Sequence, residues 1–323
     1  MQKVLVTRRL PSKVIARLEQ RCEVDLHDGE GLTPAELRER VHDKHALVCL
    51  LTDRIDAAVI DAGRNLRIIA DVAVGYDNID LAQAEARGIV VTNTPDVLTE
   101  AVAEFTWGLI LSVTRRITEG DRLVRAGGWK RWALDFMLGA ELGGKQLGIV
   151  GLGRIGRAVA ARAPAFGMSV VYHRGDHRTR LKPRATTAGG TSLQARPSSF
   201  DELLVTSDVV SIHTPLTPDT RHLIDQRALA RMKRTAYLIN TSRGPVVDEA
   251  ALAWALRERL IAGAALDVYE KEPIVPPDLL SLDNVVLAPH LGSATRETRT
   301  AMADLAVSNV LAVLDGKPAI TPV

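Results

Sequence analysis

Three side chains able to do chemistry lie in segments that directly follow apolar, strand-like runs of this 323-residue sequence: Arg243, Glu272 and His290. In an open parallel sheet the carboxyl ends of the strands border one crevice, so groups far apart in the chain can meet there. Taken alone, each also fits an ordinary role, as a helix-capping arginine, a surface glutamate before proline or a histidine satisfied within a loop. Their placement after successive strands favours a shared site.

These groups match the needs of a carbonyl reduction on a small carboxylic acid. Arg243 can hold a carboxylate through its planar donor fork. His290 can protonate the carbonyl oxygen, because histidine titrates near working pH, and Glu272 would hold the ring and favour its charged form. Asp267 is expected to face the carboxamide of a nicotinamide ring. The set predicts hydride transfer to a 2-keto acid.

A glycine-rich motif at residues 151–156 supplies a candidate site for the hydride donor. Its members are Gly151, Leu152, Gly153, Arg154, Ile155 and Gly156. The motif follows an apolar strand and opens a helical pattern, which is the context of a dinucleotide-binding turn rather than of a tight turn without a ligand. The three glycines would allow the turn, the approach of a pyrophosphate and close packing of helix on strand.

The strand that follows this motif, the second of the unit, ends in His173 and Arg174, where NAD-binding sites usually carry an acidic residue for the ribose hydroxyl. Arginine instead can pair with a 2′-phosphate, and Arg178 and Arg180 would add to the positive charge. We therefore expect NADPH. NADH stays possible, because Asp176 lies two residues beyond Arg174, and a solvated charge cluster is a further alternative.

The composition excludes several other classes of protein. Lys and Arg total 41 against 39 for Asp and Glu, and the formal net charge of +2 offers no general attraction to nucleic acid or membrane. No apolar run reaches the roughly 18 residues of a membrane span. Cys22 and Cys49 lack paired or metal-type spacing, so we expect reduced thiols, no metal and a cytoplasmic protein.

The order of the apolar runs predicts two α/β domains with doubly wound parallel sheets. Five strand-like runs come first, at residues 3–7, 23–26, 46–51, 68–72 and 89–92. Six follow, at residues 146–150, 170–172, 209–213, 236–240, 264–268 and 285–288. The prediction is a Rossmann cofactor domain over residues 98–290 and a smaller, flavodoxin-like substrate domain over residues 1–97 and 291–323.

Three connecting segments complete this prediction. One long helix is expected from Thr99, a candidate N-cap, to Arg125, with its end near Gly127 and Gly128. The segment 177–199 is rich in Arg, Thr, Ser, Gly and Pro, and we interpret it as a mobile surface loop without a strand. A final helix near residues 296–314 is expected to return to the first domain.

The sequence resembles the D-isomer-specific 2-hydroxyacid dehydrogenases over nearly the whole chain, and within them the glyoxylate and hydroxypyruvate reductase branch. The resemblance is carried, in the family's order, by residues 74–80 (VGYDNID), 91–95 (VTNTP), 150–156 (VGLGRIG), 240–244 (NTSRG) and 289–290 (PH). It implies a homodimer that reduces a small 2-keto acid, with glyoxylate or hydroxypyruvate as the substrate and Arg243, Glu272 and His290 as the catalytic set.

The resemblance also implies further contacts. Substrate contacts fall on Leu51, Val74 and Gly75 besides Arg243 and His290. Additional cofactor contacts fall on Thr214, Pro215, Thr241, Ser242, Arg243, His290 and Gly292. The sequence departs from close relatives at Val102, where threonine is common. Trp132 or Phe136 of a neighbouring subunit would close over the pocket.

Two other functions compete with this prediction. An NADH-linked D-glycerate or D-lactate type dehydrogenase shares the same chemistry. A dinucleotide-sensing binding protein would share the fold, since fold alone does not decide function. We favour an enzyme because the catalytic set is complete and no acidic or Pro-rich recruiting tail is present.

Overall fold

The computed structural model describes residues 1–175 and 194–323. The chain divides into two compact units, one formed by Met1–Leu98 with Ala294–Val323 and the other by Thr99–Ser293. The sequence placed the two boundaries one and three residues earlier, after residues 97 and 290. None of the described helices is long and apolar enough to cross a bilayer.

The first unit, all of whose residues are described, contains a sheet of five parallel strands. These are β1 (Gln2–Val6), β2 (Cys22–Leu26), β3 (Ala46–Cys49), β4 (Ile68–Asp71) and β5 (Val90–Thr92), flanked by α1 (Ser12–Glu19), α2 (Pro34–Val41), α3 (Ala57–Ala62) and α4 (Leu81–Ala86). The strand order β2-β1-β3-β4-β5 is that of flavodoxin-like sheets. Buried Leu, Ile and Val side chains on these strands and helices form its core.

The second unit contains the larger sheet. Its strands within the described residues are β6 (Gln146–Val150), β7 (Ser169–His173), β8 (Arg196–Pro197), β9 (Val209–Ile212), β10 (Tyr237–Asn240), β11 (Gly263–Leu266) and β12 (Val285–Leu287). Its helices are α5 (Thr99–Thr114), α6 (Ile117–Arg125), α7 (Arg154–Arg162), α8 (Phe200–Thr206), α9 (Gln226–Arg231), α10 (Glu249–Arg257) and α11 (Pro277–Leu280). All strands are parallel in the order β12-β11-β10-β9-β6-β7-β8, which contains the Rossmann arrangement. The predicted fold class is confirmed.

The last helix, α12 (Arg296–Leu314), belongs to the first unit, as the sequence predicted. Arg17 on α1 binds it through an ion pair with Asp304 at 2.5 Å. Arg67 donates to the carbonyl of Val313 at 2.8 Å, near the end of the helix, and this carbonyl also accepts from the amide of Gly316 at 3.1 Å.

Two predictions about local structure are wrong. The single helix over residues 99–125 is two helices, because Arg116 adopts a left-handed conformation with φ 54° that interrupts helical hydrogen bonding. The segment 177–199 was predicted to lack a strand, yet Arg196–Pro197 pairs with β7 as an edge strand. Both residues are exposed, so no apolar pattern marks the strand, and proline is tolerated at a sheet edge. Asp176, Arg178 and Arg180 lie outside the described residues.

Candidate active site

The turn after β6 has the shape that the glycine motif demands. Gly151 has φ +96°, and a Cβ placed on it would lie 2.7 Å from the carbonyl carbon of His213. A Cβ on Gly156 would lie 2.2 Å from the carbonyl oxygen of Gly151. Neither position can accept a side chain without movement of backbone, so α7 packs directly on the end of β6.

Gly153 is different, because a Cβ there would meet no described atom within 4 Å. It is the N-cap of α7, where unpaired amides and the helix dipole favour an anion. The side chain of Leu152 is buried, at 6% exposure, and Ile155 packs against the core. These two can therefore offer a dinucleotide mainly their backbone, whereas Arg154 is exposed.

Two further strand ends lie against this turn. The amide of Gly151 donates to the carbonyl of His173 at 2.9 Å, and the amide of His213 donates to the carbonyl of Val150 at 2.7 Å. The exposed Arg174 and the pair Thr214 and Pro215 thus follow directly on residues that contact the glycine turn. These residues form one cluster at the carboxyl edge of the sheet.

His213 is a member of this cluster that the sequence did not single out. Burial lowers its pKa to about 3, and its Nε2 lies 2.8 Å from the hydroxyl of Ser211. An imidazole with such a pKa is neutral at physiological pH. The signal for it was its position at the end of β9, immediately before Thr214.

Arg243 is carried by a tight segment after β10. The side chain of the buried Asn240 donates to the carbonyl of Arg243 at 2.9 Å and accepts from the amide of Ser242 at 3.0 Å. The guanidinium donates to the carbonyl of Ser242 at 2.9 Å. The hydroxyl of Thr241 lies 3.1 Å from that of Thr106, so this segment is also tied to α5.

His290 and Glu272 form the expected pair. The Nδ1 of His290 lies 2.8 Å from Oε2 of Glu272, and each side chain is 26% exposed. The other carboxylate oxygen accepts from the amide of Tyr269 at 3.1 Å. Burial would raise the pKa of Glu272, but the hydrogen bond and charge of His290, the Tyr269 amide and the charge of Arg243 together lower it. Glu272 is therefore an anion beside the imidazole.

Asp267 holds the loop that carries His290. Its carboxylate oxygens accept from the amides of Leu291 and Gly292, each at 2.7 Å, and its carbonyl accepts from the amide of His290 at 2.9 Å. Asp267 is 1% exposed. Burial raises its pKa, and the two amides oppose that effect. Both carboxylate oxygens of Asp267 thus already accept a backbone hydrogen bond. Its expected contact with a nicotinamide stays a prediction.

The segments of Arg243 and Glu272 touch through their backbones. A Cβ on Gly244 would lie 1.8 Å from the carbonyl carbon of Tyr269, so only glycine allows this approach. Together with the pair of His290 and Glu272, this contact brings the three predicted catalytic side chains to one edge of the sheet. A guanidinium, a carboxylate and an imidazole at the sheet edge that also carries the start of α7 can hold a carboxylate and deliver a proton.

Residues 107–292 match the family described as D-isomer specific 2-hydroxyacid dehydrogenase, NAD binding domain. The chain belongs to this family. As a member, it is an NAD(P)-dependent dehydrogenase whose second unit is the dinucleotide-binding domain.

Full-length relatives agree with this assignment. The chain is 51% identical to a glyoxylate reductase of Thermofilum pendens over 98% of this chain and 92% of that protein. It is 48% identical to a glyoxylate reductase of Thermococcus kodakarensis, over 98% and 94% of the two chains. A solved structure from Sinorhizobium meliloti, an NADPH-dependent glyoxylate/hydroxypyruvate reductase in complex with NADP and malonate, is similar with TM-score 0.82 and 35% identity, over 100% of this chain and 96% of that one.

The remaining predicted substrate residues of this dehydrogenase lie in the first unit. Leu51 follows β3, and Val74 and Gly75 follow β4. The carbonyl of Val74 accepts from the side chain of Asn93 at 2.7 Å, which fixes the loop after β4. Their contact with substrate stays a prediction.

Proposed function

We propose that this dehydrogenase reduces glyoxylate or hydroxypyruvate to the D-2-hydroxy acid with NADPH. The observation that carries the proposal is the hydrogen bond between His290 and an ionised Glu272, in a site whose Arg243 segment packs on the Glu272 segment. Relatives with 51% and 48% sequence identity are glyoxylate reductases, which supports the choice of substrate.

The chain's own residues account for binding and proton transfer. Arg243 holds the substrate carboxylate. Glu272 occupies Nδ1 of His290 and leaves Nε2 to give its proton to the keto oxygen, which becomes the hydroxyl. Leu51, Val74 and Gly75 would add contacts through an apolar side chain and backbone amides. When bound, the dinucleotide supplies the hydride to the carbonyl carbon.

The site fits a dinucleotide on its own geometry. The open backbone at Gly153 and the start of α7 would take the pyrophosphate. Thr214, Pro215, Thr241, Ser242, Asp267 and Gly292 belong to the segments that border this turn or carry the catalytic residues.

Steady-state turnover with glyoxylate, hydroxypyruvate and pyruvate, each with NADPH and NADH, tests the proposal. We expect the highest kcat/KM for NADPH with glyoxylate or hydroxypyruvate. A higher value for pyruvate with NADH would contradict both the substrate and the cofactor.

The preference for NADPH rests on Arg174, which follows the strand that contacts the glycine turn. A hydrogen bond to a charged group contributes about 1.5–3 kcal/mol, so Arg174→Asp should reduce the NADPH to NADH preference about ten- to hundredfold. Arg227→Asp, a change at an exposed arginine of α9, is the control and should leave the ratio unchanged. Equal NADPH to NADH preferences for the wild type and both variants would show that Arg174 does not bind the 2′-phosphate.

We also propose a homodimer in the cytoplasm. Among the described residues, helix α6 has no buried side chain, and Trp132 and Leu134 beyond it are 75% and 82% exposed. Apolar surface of this extent is typical of an interface between protein chains. In such a dimer Trp132 or Phe136 would reach the neighbouring subunit, and Phe136→Ala should change substrate preference more than cofactor affinity.

A further inference from the structure

Two glutamates outside the catalytic set form a reciprocal contact behind it. The amide of Glu270 donates to Oε1 of Glu249 at 2.8 Å, and the amide of Glu249 donates to Oε1 of Glu270 at 3.2 Å. Glu249 is 7% exposed, and the side chain of Glu270 is 19% exposed. Burying a carboxyl group is costly unless hydrogen bonds offset the lost solvation, so this contact calls for an explanation.

Helix capping does not provide that explanation. Glu249 is the first residue of α10, but the helix is capped by Asp248, whose side chain accepts from the amide of Ala251 at 3.0 Å. A glutamate in the first turn would ordinarily point into solvent, where it still interacts with the helix dipole. Glu249 instead points to the turn that follows β11.

The turn after β11, residues 269–272, ends in Glu272, which binds His290. Residues 269–272 begin with Tyr269, whose hydroxyl donates to the carbonyl of Ala288 at 3.0 Å and whose amide donates to Glu272. The amide next to it, that of Glu270, is held by Glu249. On the far side of Glu270 lie His222, with Nε2 3.2 Å from Oε1, and Arg221, with Nη2 3.7 Å from Oε2.

We propose that Glu249 and Glu270 are positioning residues, whose mutual hydrogen bonds hold the 269–272 turn so that Glu272 faces His290. This inference rests on the proposed reduction of a 2-keto acid. Arg243 has hydrogen bonds of its own outside this turn, with Asn240 and Ser242, besides the packing of Gly244 on Tyr269. Loss of the glutamate pair should therefore disturb proton delivery more than binding of the substrate carboxylate.

The decisive comparison is Glu249→Ala against Glu249→Gln. A misplacement of about 1 Å can cost on the order of a hundredfold in rate, so we expect Glu249→Ala to lower kcat about tenfold or more while the KM for the keto acid changes less than about threefold. The glutamine variant keeps an oxygen for the Glu270 amide and should recover most of kcat. Glu258→Ala, at the exposed end of α10, is the control.

Three kinetic outcomes would overturn the inference. These are an unchanged kcat in Glu249→Ala, failure of glutamine to restore kcat, and parallel changes in kcat, KM and cofactor Kd, which would indicate general loss of structure. If Glu249→Ala does not fold, Glu270→Ala tests the same contact from its less buried side. In the double variant the two losses should not add, because both residues serve one contact.

Amide hydrogen exchange separates this inference from the proposed function. Exchange of residues 269–274 should be faster in Glu249→Ala and close to wild type in Glu249→Gln. If the wild-type protein turns over none of the keto acids, the proposed function fails, yet the exchange data still decide whether the pair holds the turn. Unchanged exchange in Glu249→Ala would sink the positioning role.

Discussion

At the scale of single residues, the backbone of His290 is closely constrained. Its backbone is left-handed, with φ 54°, a conformation that costs energy for a residue with a Cβ and persists where surrounding contacts fix it. Asp267 supplies those contacts, by accepting the three consecutive amides of His290, Leu291 and Gly292. The buried carboxylate therefore sets the direction from which the imidazole reaches Glu272.

His290→Ala should lower kcat about 10²- to 10⁴-fold, the usual contribution of a positioned general acid. Cofactor Kd, measured by fluorescence titration, should stay within about twofold, because the glycine turn is untouched. The kcat of Glu272→Gln should lie between that of His290→Ala and that of the wild type. Turnover retained in His290→Ala would show that another group delivers the proton.

His213 predicts a specific dependence of stability on pH. Its folded pKa is about 3, below the value of about 6.5 for an exposed histidine. Between these values the unfolded chain binds a proton that the folded chain does not, so the contribution of His213 to stability is complete above pH 6.5 and is lost as the pH falls. The expected loss between pH 6.5 and 5 is about 2 kcal/mol.

The measurement is the free energy of unfolding of wild type and His213→Gln at several pH values. The difference between the two should shrink as the pH falls over this range. A constant difference between His213→Gln and wild type would mean that the imidazole is not held neutral.

At the scale of elements, the connection between β6 and α7 separates folding from binding. Gly156 faces the carbonyl of Gly151, whereas Gly153 faces open space. Gly156 is needed for the packing of helix on strand, and Gly153 is needed where a phosphate would approach.

Gly156→Ala should therefore lower the free energy of unfolding by about 1–3 kcal/mol, as overpacking does. Gly153→Ala should unfold like wild type, yet bind the dinucleotide about ten- to hundredfold more weakly if it loses a hydrogen bond to a charged group. Thermal unfolding and cofactor titration on both variants check this pair of effects. Similar stability for the two variants would contradict the division of roles.

Between elements, prediction from sequence was most reliable where a pattern was local. The strands that precede the catalytic segments were predicted from their apolar runs, and their carboxyl ends do meet. The break at Arg116 and the short strand β8 were missed, because a left-handed residue and an exposed edge strand leave no periodic signal.

At the scale of the whole molecule, the segment 117–138 carries a series of exposed apolar side chains. They are Ile117, Val124, Trp129, Trp132, Leu134, Phe136 and Leu138, which are between 42% and 82% exposed. We expect the wild-type protein to be a dimer by light scattering coupled to size exclusion. The double variant Trp132→Ser with Leu134→Ser should shift it towards monomer as the protein is diluted.

The control for this experiment is Ile320→Ser, which removes an apolar side chain of 56% exposure from the first unit and should leave the dimer intact. A monomeric wild-type protein, or a double variant that remains a dimer at the same dilution, would contradict the proposed interface.

The sequence alone determined the two parallel α/β units, the glycine turn and the candidate catalytic residues, because strands, helix starts and strand ends follow from spacing within a few residues. Only the tertiary structure decided that Asp267 holds the loop of His290, that Gly244 packs on Tyr269 and that Glu249 is paired with Glu270. Those contacts join residues 21 to 25 positions apart. Their existence depends on how neighbouring strands align and how their loops turn, which no local pattern encodes.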